Sequence, residues 1–213
     1  SAWFCLLEGR YVSAIGLAGA VLSAVTVYCT GMIYASLKSI DAWHTPLTPT
    51  CYLFFAGAGG ALLALFFATI GGSEVAVPGG LALAFLVLSW AAKWKWWQRQ
   101  SGLQPRSTPA SATGLGAIGK VRLFERPHMT ENYLTREMGF KVARKHADKL
   151  RRIAVIVGGA LPFVASLGAV AASGGAASAL SALAVLGYAG GVLVERWLFF
   201  AEARHAVMNY YGS

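Results

Sequence analysis

Acidic residues are scarce in this chain: nine Asp and Glu stand against eighteen Lys and Arg, and charged residues together make up only 13% of the sequence. Soluble domains carry about 25% charged residues, so an ordinary hydrated globule is disfavoured from the outset. Cysteine is almost as rare. Cys5, Cys29 and Cys51 stand far apart with no CxxC pair, which excludes a zinc site or a cysteine-ligated cluster built from this chain alone and leaves them as small apolar packing residues. There is no Walker loop, no GxSxG elbow and no zinc motif, so no recognisable site for bond-making chemistry is present. A signal peptide is also missing from the pattern, and the opening SAWFCLL reads as the tail of an apolar segment, so further chain is expected before Ser1.

What is abundant is hydrophobicity, at 56% of residues, and it comes in blocks. A bilayer core of roughly 30 Å needs about 20 mostly apolar residues per helix, and several blocks reach that length. The reading is an all-α, polytopic transmembrane helix bundle with five full spans, at about 11–37, 51–70, 76–97, 152–172 and 176–200. The first contains Gly16 and Ala20, a small-xxx-small spacing that lets membrane helices approach. Lys38, Asp41, Trp43, Pro46 and Pro49 are expected to break the helix after the first span and leave a short polar loop before Cys51, and Gly57, Gly59 and Gly60 offer the second span a packing notch. The third ends in Trp90, Trp94, Trp96 and Trp97 interleaved with Lys93 and Lys95, as expected of rings and snorkelling amines at the headgroups. The run from Ile153 to Val194 holds forty-two residues without a charge, too long for one helix, and Ser173-Gly174-Gly175 supplies the turn that makes two. Pro162 is expected to kink the first of these.

Between the third and fourth spans, residues 98–151 form a basic loop whose later part, TENYLTREMGFKVARKHADKLRR, reads as an amphipathic helix leading into the fourth span. Thr130 can cap it, and Glu137 with Lys141 and Arg144 with Asp148 are helix-stabilising spacings. Lys141, Lys145 and Lys149 align on one face and, with Arg136, favour an anionic neighbour, either lipid headgroups or a protein partner. Fourteen of the eighteen basic residues lie between Lys93 and Arg152; Lys38, Arg196 and Arg204 fall on the same side if the spans alternate, and only Arg10 falls opposite. The positive-inside rule therefore puts the loop and the C-terminus in the cytoplasm. Because the cations flank spans and do not line a soluble face, nucleic acid is not an expected partner.

Ionisable groups at the ends of apolar spans are the candidates for chemistry, since each is costly unless paired or wetted. Tyr188, Glu195 and Glu202 recur at intervals of seven and share a helical face. Glu195 and Arg196 are site candidates, with an interfacial ion-pair network as the equally simple structural alternative. Glu202 and His205, one turn apart, form a candidate proton path from the surface, with a plain solvated helix end as the simpler alternative. None of His44, His128, His146 and His205 lies mid-span, so a bis-histidine haem inside the bundle is not expected. His44 beside Trp43, close after Tyr34 and Lys38, offers an aromatic wall, a donor and access to water where a quinone head docks; an ordinary aromatic belt explains the same residues.

Three stretches, VYCTGMIYASLKSIDAWHTPLTP, ENYLTREMGFKVARKHADKLRR and VERWLFFAEARHAVMNYYG, resemble the membrane-anchor subunit of bacterial dimethyl sulfoxide reductase and its relatives, and the resemblance runs over nearly the whole chain. It implies an eight-span helical anchor in the bacterial cytoplasmic membrane, of which this chain would supply spans four to eight. It further implies electron transport, as in anaerobic respiration, between menaquinone or ubiquinone and an iron-sulfur subunit, with a molybdopterin catalytic subunit beyond it and no haem in the anchor. The histidine and glutamate that serve the family's quinol site belong to the earlier spans and have no matching position here. A cytoplasmic basic loop favours the sulfite-oxidising members, which pass electrons to quinone, over the sulfoxide reductases. The competing reading is a stand-alone small transporter or scaffold. It would call for inverted repeats and broken helices at the midplane, and the sequence shows no internal repeat.

Overall fold

The computed structural model describes residues 13–103, 108–122, 124–125 and 144–203. Helix α1 spans Ser13–Ala35, α2 Leu47–Gly71 and α3 Ala76–Ser101. A short α4, Pro109–Thr113, opens on a Thr108–Ser111 capping box and is followed by a single 3-10 turn, Leu115–Ala117. Then come α5 (Ala147–Val155), a π turn (Ile156–Ala160) and α6 (Leu161–Ala171), which together form one continuous span, and finally α7, Gly174–Ala201. Among the described residues five helices are long and apolar enough to cross a membrane, and no strand occurs.

The apolar side chains are placed for lipid. Leu17, Leu22, Phe67, Val164, Leu186 and Leu193 are all about two-thirds exposed or more, a quantity of outward hydrophobic surface that a water-soluble monomer does not carry. The bundle interior is instead lined by small residues, with Ala58, Ala82, Ala154, Ala169 and Ala184 completely buried. Helices meet at glycine. A Cβ on Gly158 would stand 2.9 Å from the Cα of Gly191, and one on Gly31 would stand 2.8 Å from the Cα of Pro49, so α5–α6 against α7 and α1 against α2 touch backbone to backbone.

Several expected boundaries and contacts shift. Helix α2 begins at Leu47, four residues before Cys51, because Pro49 lies in its first turn, where a helix needs no N–H from it. Gly16 and Ala20 sit on an exposed face of α1, and the close approach to α2 runs through Gly31 instead. Gly57 and Gly59 do receive neighbours, Phe85 and Tyr188, whereas Gly60 faces open space. The third span continues to Ser101, and the fourth starts at Ala147 after a turn at His146. The expected helix from Thr130 lies outside the described residues. Asp148 pairs with Arg151 at 3.4 Å, while Arg144 donates to the carbonyls of Ala201 and Ala203 at 2.7 and 3.1 Å.

Pro162 shapes the fourth span as a π turn. A proline ring displaces the carbonyl four residues earlier, which here is Gly158, and removes its helical partner. The indole Nε1 of Trp90 donates to that same Gly158 oxygen at 3.0 Å, so α3 satisfies the group that Pro162 frees.

The chain reverses at Gly72 (φ 63°) and Gly174 (φ 60°), left-handed conformations that glycine adopts without strain. These turns sit at one end of the bundle, where Thr69 and Ser181 hydroxyls meet at 2.9 Å. At the other end gather the loop after α1, the C-termini of α3 and α7, and the start of α5.

Candidate functional site

That second end holds a buried ion cluster. Along α3, Ser89, Lys93, Trp96 and Trp97 follow one another at helical spacing and are all buried. Along α7 the matching inner row is Tyr188, Gly191, Glu195, Leu198 and Phe199. The two rows face each other and bring Lys93 Nζ to 2.5 Å from Glu195 Oε1, with the two side chains 1% and 0% exposed. Arg196 Nε reaches the other carboxylate oxygen, Oε2, also at 2.5 Å, and its side chain is 23% exposed. One carboxylate between two cations leaves a net positive charge inside an apolar bundle. Aromatic faces take up part of it: the Lys93 ammonium lies 3.8 Å from the Trp96 ring centre, and the Arg196 guanidinium lies 4.5 Å from Tyr52 and 4.8 Å from Phe199. On the helix face below, the Tyr188 hydroxyl donates to the Phe55 carbonyl at 2.5 Å.

An aromatic layer covers the cluster. Trp43 stacks on Phe199 at 5.2 Å, Tyr34 meets both rings edge-on and stacks on Tyr52 at 5.9 Å, and Phe200 closes the group. Trp43 reaches this place because its Nε1 donates to the Phe199 carbonyl at 3.0 Å. The loop that carries it is clamped from α3 by Arg99, which donates to the carbonyls of Asp41 and His44 at 3.1 and 3.3 Å.

Above the aromatic layer, the last carbonyls of α7 are held by side chains from elsewhere, as a helix C-terminus requires. Arg144 binds those of Ala201 and Ala203, and Gln100 binds that of Glu202 at 3.2 Å. The Glu202 carboxylate accepts from Arg151 Nε at 2.7 Å. Burial pushes the Glu202 carboxyl above the ordinary carboxylate range, with Arg151 pulling the other way.

The sequence candidates thus separate. Tyr34, Trp43, Glu195 and Arg196 come together in one assembly. His44 sits at its edge, half-buried, with Nδ1 2.7 Å from the Ala35 carbonyl. Lys38 is exposed in the same loop, and Lys145 and Lys149 are exposed at the start of the fourth span. His205, Arg136 and Lys141 lie outside the described residues. One expectation is overturned: Lys93 does not snorkel to headgroups but is sealed against Glu195, and Trp96 and Trp97 turn inward with it, leaving Trp94 as the outward ring. The signal that could have shown this is the spacing of Lys93 from Ser89 and Trp97, which puts it on the inner face. Tyr52, Arg99 and Arg151 join the site through Arg196, through Asp41 and His44, and through Glu202, partners too remote in sequence for local spacing to signal. No group of three metal-ligating side chains occurs among the described residues.

Fold and site together define a multi-pass helical membrane protein whose interior encloses a Lys–Glu–Arg cluster at its basic end. Compared with known proteins, the chain is 31% identical over 200 residues to a subunit of the sulfite dehydrogenase of Allochromatium vinosum, across 93% of this chain. It spans 60% of that relative's length. No protein-family profile matches the chain, and no solved structure does either.

Proposed function

We propose that this chain is the membrane-anchor subunit of a bacterial sulfite-oxidising complex, embedded in the cytoplasmic membrane with its basic end facing the cytoplasm. In this reading it docks an iron-sulfur subunit, beyond which a molybdopterin subunit oxidises sulfite, and it passes the electrons to the quinone pool. The observation that carries the proposal is the buried Lys93–Glu195–Arg196 cluster beneath an aromatic layer, at the same end as the docking cations, in a chain similar to a sulfite dehydrogenase subunit. A stand-alone transporter would place its ionisable groups at breaks in its helices, whereas α3 and α7, which carry Lys93 and Glu195, each run unbroken.

A bound quinone accepts two electrons and two protons to become the quinol. The residues present suit such a head. Arg196, partly exposed beside Tyr52, offers a charge-assisted donor to a carbonyl oxygen, and Tyr34, Trp43 and Tyr52 form the aromatic wall. With Nδ1 engaged at Ala35, the other ring nitrogen of His44 remains for proton exchange. Glu202, its carboxyl raised above the ordinary range, starts a proton path toward this layer, which His205 would extend to the surface. Lys145 and Lys149, with Arg136 and Lys141, supply the cationic docking face.

The test is purification of the native complex from its own membranes and assay of sulfite-dependent reduction of a soluble quinone analogue. Iron-sulfur and molybdopterin subunits are expected to co-purify, and Arg196→Gln is expected to lower quinone reduction while sulfite oxidation with an artificial electron acceptor stays intact. A metal-free single polypeptide that drives solute uptake into liposomes would overturn the proposal in favour of a transporter.

A further inference from the structure

A second feature at the basic end lies on the outside of the bundle, away from the ion cluster. Between the end of α3 and the start of the fourth span runs a groove of about 410 Å³, lined by Trp94, Trp97, Gln98, Ser101, Arg151 and Arg152, with Val155 and Ile156 completing its floor. Helix α3 runs toward this end and α5 away from it, so the groove has a direction. Gln98, Ser101 and the two arginines stand at the shallow end; Trp94, Val155 and Ile156 stand about one to two turns deeper. The deep residues are exposed and apolar, with Trp94 at 61% and Ile156 at 60%, and so face hydrocarbon.

The shallow end is cationic. Arg151 is engaged by Glu202 and Asp148, but Arg152 is exposed and has no acidic partner among the described residues. Lys145, Lys149 and Lys95, all exposed, add to the positive potential on the same end. A ligand for this groove must therefore be amphipathic along the membrane normal, with an anionic head level with the arginines and an apolar tail running down past Trp94 and Ile156. We propose that the groove is a binding site for an anionic phospholipid, whose phosphate pairs with Arg152 and accepts from Gln98 or Ser101, and whose acyl chains lie along Trp94, Val155 and Ile156. A neutral quinone head gains a hydrogen bond from Arg152 but no charge pairing, and a zwitterionic phospholipid brings a like charge to the arginines.

The experiment uses the intact complex in nanodiscs of phosphatidylcholine doped with either phosphatidylglycerol or phosphatidylcholine carrying the same brominated chains, reading tryptophan quenching. Brominated phosphatidylglycerol is expected to associate about fivefold more strongly, the roughly 1 kcal/mol that one surface cation contributes beside anionic lipid. Trp94→Phe should remove the selective part of the quenching. Arg152→Gln, which leaves the Arg151–Glu202 pair in place, should bring the two lipids level while tryptophan emission in unbrominated discs and sulfite-dependent quinone reduction stay unchanged. Equal quenching by both lipids in the unmodified complex, or a preference that survives Arg152→Gln, would overturn the site.

Discussion

At the scale of single residues, the chemistry concentrates in groups whose charge is held by one or two partners. Glu195 is the central case, because removing its charge leaves Lys93 buried with no counter-ion. Glu195→Gln is therefore expected to lower stability by about 3–5 kcal/mol, measured by reversible unfolding in mixed micelles. Replacing Lys93 with Met and Glu195 with Leu together removes the sealed pair and leaves Arg196 to its aromatic neighbours and partial exposure, so the double variant should recover part of that loss. If the double variant regains stability but not quinone reduction, the cluster serves electron or proton transfer rather than packing. Glu202 makes a second residue-scale case, outside the spans. Its carboxyl lies above the ordinary range in the folded state, so the folded protein binds that proton more tightly than the unfolded chain does. The corresponding stabilisation is present below the unfolded carboxyl range and fades as pH rises through the folded one. A protonated-carboxyl infrared band that persists above the usual glutamate range, and disappears in Glu202→Gln, is the expected signature.

Single helices matter most where the fourth span departs from regularity. Pro162 frees the Gly158 carbonyl, and Trp90 alone of the described side chains is seen to bind it. Trp90→Phe keeps the ring but not the donor, and should cost about 1–3 kcal/mol, the penalty of a buried unsatisfied acceptor. Pro162→Ala returns a backbone N–H to that carbonyl, so the double variant is expected to be less impaired than the sum of the two singles. A double-mutant cycle in the same unfolding assay measures this coupling. Proline and its distance from Gly158 can be read from sequence, as can the reversals at Gly72 and Gly174. The partner Trp90, sixty-eight positions away, cannot, because nothing local distinguishes an indole that faces lipid from one that faces a π turn.

For the molecule as a whole, alternation of five spans places the loop with Lys38 and the segment with Lys145 at one face, and the turn with Glu74 at the other. In a background with Cys5, Cys29 and Cys51 replaced, Lys38→Cys and Lys145→Cys should react with an impermeant thiol reagent from the same side of sealed vesicles. Glu74→Cys should react only from the opposite side. Labelling of Lys38→Cys and Glu74→Cys from one side would break the five-span arrangement.

The linear chain by itself determined the number of membrane helices, their approximate limits, the reversal points and the cationic end. Each follows from runs of apolar residues and from glycine or proline, whose effects act over a few neighbours along the backbone. Tyr34, Trp43, Glu195 and Arg196 were also legible as candidates, from residue type and position near span ends. Only the tertiary structure decided that Lys93 is sealed inside and Trp94 outside, that Arg99 and Arg144 clamp a loop and a helix end, and that Arg152 is left exposed with no acidic partner among the described residues. The reason is physical. A bilayer rewards the burial of long apolar segments whatever their rotation, so rotation about each helix axis is set by contacts with helices far away in sequence, and the fate of every charge depends on that rotation.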